Sequence, residues 1–327
     1  MKQFLKTLIN PNIPLTILLI IVPLLVWIAG FSTVPAGTGN YWLAGIFSHF
    51  SPLSVSLTAN ILSMAITLFN VFLLAQINNK FTVIRTRTFL PMLIFLVLIS
   101  GWNRTHTQVT AHITLTLFIL ALFVFFSMYR NWRASEPAFL GSFLISLASL
   151  LTTPVILLIP VCWLGFMRSY SFSLRTFLAS VFGALAPWIL YIAVRYYIQP
   201  DMLWLTPLAD SFLISWSVLM LPVNELVYMA LMTIFILIGL TGLYYNLHSD
   251  SIQTRVKLNY LMFILVFSFV FSMIFSRYFE IFMPVVAFSY SLLLAHSFTL
   301  RANKFYGVLF VLFLIFNIVF AISEILY

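Results

Sequence analysis

Long apolar runs, broken by short polar stretches, occupy almost the whole chain. They fall at about 14–34, 54–77, 88–101, 110–129, 138–151, 155–168, 175–198, 223–246, 258–276, 279–299 and 304–325. Within each run the apolar residues are continuous and do not alternate with polar ones. That pattern predicts helices and argues against a membrane β-barrel, whose strands repeat every two residues. A helix rises about 1.5 Å per residue, so about 20 residues cross the hydrocarbon core of a bilayer. The runs at 88–101, 138–151 and 155–168 are short for a crossing. The last two flank Thr152-Thr153-Pro154 and fit either two full crossings or a tight helical hairpin that only dips into the bilayer; either way the chain returns to the side it left. The fold class expected is all-α, a polytopic transmembrane bundle of about eleven membrane segments. No polar stretch is long enough for a separate soluble domain, so residues 1–327 read as a single integral membrane domain.

Composition agrees with the pattern: 63% of the 327 residues are hydrophobic and 7% are charged. The charges sit at the ends of the apolar runs. With the N-terminus inside, the inner loops hold Lys2, Lys6, Lys80, Arg85, Arg87, Arg130, Arg133, Arg168, Arg175, Arg255, Lys257, Arg301 and Lys304. Of the 16 basic residues only Arg104, Arg195 and Arg277 then fall outside. Cytoplasmic loops are enriched in Lys and Arg, so the expected topology is N-in, C-out, in an inner (cytoplasmic) membrane. Asp201, Asp210, Glu225, Glu280 and Glu324 lie outside, Glu136 and Asp250 inside. The net charge of +9 is scattered in ones, twos and threes, which fits topology and anionic headgroups and excludes a nucleic-acid groove. Lys2 and Lys6 precede a run too long for a signal peptide, with no small-x-small cleavage site after it, so a retained first helix is expected. Cys162 is the only cysteine, which excludes an intrachain disulfide and a thiolate metal cluster.

Two outer loops, 35–53 and 199–222, are long and aromatic. The first carries Tyr41, Trp42, Phe47, His49 and Phe50, the second Trp204, Phe212 and Trp216. Both predict helices lying in the outer interface, with Asp210 as an N-cap. Ser142, Ser146, Ser149 and Thr153 recur at spacings of four, three and four and make one narrow helical face. Ala179 with Gly183 and Ser180 with Ala184 form small-xxx-small pairs, the signature of close helix packing in membranes. Asn60, Asn70 and Gln76 lie along one run and either bond a neighbouring helix or line a polar path.

Phosphate loops, dinucleotide fingerprints, zinc-protease motifs and nucleophile elbows are absent from the sequence. The histidines, His49, His106, His112, His248 and His296, lack metal-ligand spacing, so neither a metal nor a cofactor is expected. Ion-coupled carriers need ionisable groups deep in their spans, and here only Arg195 and His296, near span ends, approach that. No repeat, direct or inverted, is visible, which also weighs against a transporter. The candidate chemistry is on the outer face. Arg104, Arg195 and Arg277 oppose the charge rule, and a guanidinium matches phosphate oxygens as a bidentate fork. Asp201 and Asp210 are the candidate bases for an acceptor hydroxyl. His49, His106, Glu225, Tyr278 and Glu280 are supporting polar groups on that face.

Three stretches carry a family resemblance. The first is the opening helix followed by an outer loop through Tyr41-Trp42-Leu43-Ala44. The second is Phe139 to Pro160, with the predicted short helix pair. The third is Arg277-Tyr278-Phe279 with Pro284. In these the chain resembles the GT-C superfamily of membrane glycosyltransferases, and also a bacterial multi-pass family with the same middle region. The resemblance implies a GT-C-like bundle, a polyprenyl-phosphate-linked sugar as partner beside the membrane lipids, and phosphate binding at Arg277. The chain departs from the family in one respect: Phe31 to Pro52 contains no Asp or Glu where GT-C enzymes place a catalytic acid, and Gly101 to Gln108 has Arg104 and His106 at the second acidic position. The expected function is handling of a lipid-linked sugar at the outer face, extending to glycosyl transfer in envelope glycan assembly. The alternatives are a non-catalytic GT-C-derived subunit bound to a membrane partner protein, and a lipid or small-molecule transporter.

Overall fold

The computed structural model describes residues 13–30, 52–85, 88–198, 208, 210–214, 222–245, 250–300 and 304–326. The first outer loop with His49, and Asp201 in the second, lie outside the described residues. Among the described residues the architecture is all-helical with no sheet. The helices are α1 (Ile13–Ala29), α2 (Pro52–Phe81), α3 (Leu90–Ser100), α4 (Val109–Phe126), α5 (Ser135–Leu151), α6 (Leu158–Arg168), α7 (Leu174–Ile198), α8 (Val223–Tyr245), α9 (Ile252–Ile274), α10 (Phe279–Leu300) and α11 (Lys304–Leu326). A one-turn helix, Asn103–His106, sits between α3 and α4. Among the described residues, seven spans are long and apolar enough to cross a membrane, in α2, α4 and α7 through α11. The protein is therefore a polytopic membrane protein, and its exposed apolar surface is the surface that lipid covers. The Leu174–Tyr197 span shows this most: 17% of it is buried, with Phe182, Leu185, Ile189 and Leu190 exposed on one helix.

Short segments appear at the predicted places. Helix α5 ends where Thr152 turns extended, and Thr153–Leu157 forms a 3-10 turn before α6. At about 1.5 Å per residue the 17 residues of α5 reach about 26 Å, just under the hydrocarbon thickness. Helix α9 starts at Ile252, six residues before the apolar run, so Arg255 and Lys257 ride on its first turns.

The chain forms two compact units. Unit 1 comprises Met1–His112, Met220–Ser251 and Ala287–Tyr327; unit 2 comprises Ile113–Leu219 and Ile252–Val286. Unit 2 is organised by the two small-residue faces read from the sequence, which pack on each other. Ser142 Oγ lies 2.6 Å from Ser180 Oγ, Ser146 Oγ donates to the Ala184 carbonyl at 2.5 Å, and Trp188 Nε1 donates to Ser149 Oγ at 2.8 Å. The partners advance together along both helices, so α5 and α7 run parallel. Gly183 is required at this seam, because a Cβ there would overlap the Phe139 carbonyl. Without water to compete, such close backbone approach and hydroxyl bonding hold membrane helices together. At one end of unit 2 the loops meet: Arg130 N–H donates to the Ser169 carbonyl and Ser173 Oγ to the Trp132 carbonyl. Both loops were assigned to the inner face by their charges.

Unit 1 is held by polar bonds along α8. Tyr228 Oη donates to Asn317 Oδ1 of α11 at 2.7 Å, and the Tyr228 ring stacks on Phe320 with centroids 3.8 Å apart. Tyr290 Oη of α10 donates to the Met232 carbonyl at 3.2 Å, and Ser297 Oγ to that of Gly239 at 2.8 Å. Contacts with α11 run in opposite chain order and those with α10 in the same order. Helix α8 is thus antiparallel to α11 and parallel to α10, the alternation that the apolar runs predict.

Candidate functional site

The sequence places Arg104, Glu225 and Glu324 on one face although 121 positions separate the first two, and the fold brings all three together at one end of unit 1. The N-terminus of α8 presents Glu225, the C-terminus of α11 presents Glu324, and the Asn103–His106 turn presents Arg104. Arg104 Nε lies 3.0 Å from Glu225 Oε1; the arginine is 43% exposed and the glutamate 1%. Arg104 also acts on Glu324 electrostatically. Asn224 Nδ2 donates to Glu324 Oε1 at 2.9 Å, and Asn103 Nδ2 to the Glu324 backbone carbonyl at 3.0 Å. Trp102 packs edge-on against Tyr228 and Phe320, at 5.5 and 5.2 Å, and gives the polar cluster an aromatic floor. A buried carboxylate is stable only with an opposite charge or several donors beside it. Arg104 supplies that charge, and the rest of its side chain stays exposed.

His106 adjoins this cluster. It is wholly buried, stacked on Trp27 with centroids 4.0 Å apart and planes 10° from parallel. Its Nε2 lies 3.3 Å from the Ile99 carbonyl, which only accepts, so Nε2 carries the proton and donates. Burial first, and nearby His112 second, push its pKa down to about 3. The imidazole is therefore neutral at physiological pH. His112 is buried one helical segment further along, with Nε2 3.0 Å from the Thr105 carbonyl and Nδ1 3.0 Å from Thr67 Oγ1. Asn70 Nδ2 donates to the His112 carbonyl at 3.1 Å, so this residue of the α2 polar run bonds a neighbouring helix. Gln76 instead points outward and is exposed.

The other candidates lie in unit 2. Arg195 is half-buried near the end of α7, and its Nε has no hydrogen-bond partner. Arg277 is exposed just after α9, with its guanidinium 6.0 Å from the centre of the Tyr278 ring. Tyr278 and Glu280 are half-buried beside it, and Asp210 is exposed. No group of three or more His, Cys, Asp or Glu arranged for a metal occurs among the described residues.

A second buried charge cluster occupies the other end of unit 1. Asp250, fully buried, receives Arg85 Nε at 2.5 Å on one oxygen and His296 Nε2 at 3.1 Å on the other. Sequence reasoning placed Arg85 and Asp250 on the same face but did not join them, and it missed Glu324 and Asn224 as members of the Arg104 cluster. Only the shared face was readable there.

Fold and site define a polytopic membrane protein with one buried, arginine-paired acidic cluster at each end of unit 1. No family model, no curated protein and no solved structure matches the chain.

Proposed function

We propose that this protein handles a polyprenyl-phosphate-linked sugar at the outer face of a cytoplasmic membrane, as a GT-C-like protein of envelope glycan assembly. The observation that carries the reading is Arg104: a half-exposed guanidinium anchored on a buried glutamate, at the end of the bundle that the charge rule puts outside. Anchoring fixes the fork in place, so less side-chain freedom is lost when its outer N–H groups take phosphate oxygens. Arg195 and Arg277 remain proposed phosphate ligands on unit 2. For glycosyl transfer, a base must take the acceptor proton. Glu225 joins Asp201 and Asp210 as a candidate, because it is a carboxylate already set against a phosphate-binding group.

The acid-free first outer loop favours a second reading, a non-catalytic subunit that binds the same lipid and presents it to a partner enzyme. Binding tests both. Purified full-length protein in a zwitterionic detergent is titrated with decyl phosphate, and Arg104→Gln is expected to weaken binding at least about tenfold, one charge-assisted fork. Arg104→Lys, which keeps the charge and loses the fork, falls between. Unchanged affinity in Arg104→Gln sinks the reading. Sugar transfer by the purified protein alone then separates enzyme from subunit.

A further inference from the structure

Helix α2 carries Asn60, Ser63, Thr67 and Asn70 at spacings of three, four and three, one continuous face, and each is at most 1% exposed. Half of this face is satisfied, since Thr67 and Asn70 meet His112. The other half is not. Asn60 Nδ2 and Oδ1 and Ser63 Oγ have no hydrogen-bond partner. Helix α2 packs against the Asn103–His106 turn, where His106 Nδ1 lacks a partner, and Trp27 of α1, stacked on His106, leaves its Nε1 without one as well. Buried polar groups are nearly always paired, and several open ones on neighbouring elements point to an occupant.

Their chemistry narrows the occupant. All four side chains are neutral. Two present donors, the Trp27 indole N–H and the Asn60 amide N–H, and two present acceptors, Asn60 Oδ1 and the bare His106 Nδ1. An anionic phosphate would set its lone pairs against those acceptors with no cation among the four. An alkyl chain would leave every group unpaired. Hydroxyls, which donate and accept at once, fit all of them, and the stacked Trp27–His106 pair offers an aromatic ring of the kind sugar C–H faces pack against.

We propose that Trp27, Asn60, Ser63 and His106 form a hydroxyl-binding recess that takes the sugar of the lipid-linked ligand, beside the phosphate held by Arg104. The proposal rests on the lipid-phosphate reading and adds where, and by what contacts, the sugar is recognised. The test compares decyl phosphate with its glucose, galactose, mannose and arabinose phosphodiesters on full-length protein. At least one glycosyl probe is expected to bind about tenfold or more tighter than decyl phosphate. Ser63→Ala and Trp27→Phe, the latter keeping the ring and removing the N–H, each remove most of that gain and leave decyl phosphate binding unchanged. Melting curves confirm that both variants fold, and the parent protein decides the question alone should either fail. If no glycosyl probe exceeds decyl phosphate while Arg104-dependent phosphate binding persists, the recess holds water only; the inference is overturned and the lipid-phosphate reading stands. If no probe exceeds decanol, both fall.

Discussion

The two ends of unit 1 use the same device with different surroundings. At one, Arg85 (40% exposed) is set on the fully buried Asp250; at the other, Arg104 (43% exposed) is set on the buried Glu225. The difference lies in the neighbours. Both Asp250 oxygens have a donor from the fold, Arg85 and His296, so the carboxylate is saturated, with the single atom His296 Nδ1 left open behind it, and the pair ties the α2–α3 connector to the segment before α9 and to α10. At the Arg104 end a second acid, Glu324, shares the arginine, and the adjoining helices and turn carry several buried polar groups without partners, on Trp27, Asn60, Ser63 and His106. A saturated buried pair is a fastening. A pair with surplus acid and open polar neighbours has room in its bonding for something from outside.

The largest expected effect tests the fastening. Asp250→Ala removes the acid that Arg85 and His296 share; Arg85 is 40% exposed and water takes up its charge, so the cost is that of the buried His296 donor left unpaired and the lost ion pair, about 2–3 kcal/mol. Glu225→Ala should cost less, because Arg104 keeps Glu324 nearby. Denaturant unfolding in micelles checks both, and equal losses at the two ends would break the comparison.

Next in size is a pH effect at the Arg104 end. His106 has an ordinary pKa near 6.5 when unfolded and about 3 when folded. Above pH 6.5 neither state binds the proton and the group contributes no pH dependence. As pH falls below 6.5 the unfolded state takes the proton first, so stability drops, and the loss ends near pH 3. At pH 5 the gap of about 1.5 units corresponds to about 2 kcal/mol. The parent should lose about that much between pH 7.5 and 5 relative to His106→Gln, which has no such proton. Parallel curves for the two proteins would show that the turn is open to solvent.

What the sequence made legible follows from what each signal measures. Apolar run length and charge placement report side and order, so they grouped Arg104 with Glu225 and Glu324, and Arg85 with Asp250, long before any contact was visible. Small-residue periodicity reports which face approaches a neighbour, and the α5 and α7 faces do meet through Ser142–Ser180 and Ser149–Trp188. Neither signal reports which of several acids an arginine will reach. Glu225 meets Arg104 only because α8 and α11 bracket the Asn103–His106 turn. The Trp27–His106 stack joins residues 79 positions apart, and the His296–Asp250 bond joins residues 46 apart; periodicity carries no information across such gaps. The α2 polar run shows the same limit. Asn70 bonds the neighbouring helix, Asn60 stays open and Gln76 faces outward, a division set by packing partners that the spacing alone does not contain.

The smallest expected effect separates surplus charge from structural charge. Glu324 accepts from Asn224 and faces Arg104, which Glu225 already neutralises. Glu324→Gln keeps the shape and an amide oxygen for Asn224, so stability should change by no more than about 0.5 kcal/mol, as for most substitutions outside a tight network. Phosphate binding should respond in the opposite sense to loss of Arg104. Removing one negative charge about 7 Å from a bound phosphate, in a water-like dielectric, is worth about 0.6 kcal/mol, or about threefold tighter binding of decyl phosphate. The gain should shrink as salt rises, because the charge acts across a distance that ions screen. Asp250→Asn at the other end should do the reverse, losing stability and leaving phosphate affinity alone. Should Glu324→Gln instead destabilise the protein as Asp250→Asn does, Glu324 is part of a fastening too, and the Arg104 end has no acid to spare for a ligand.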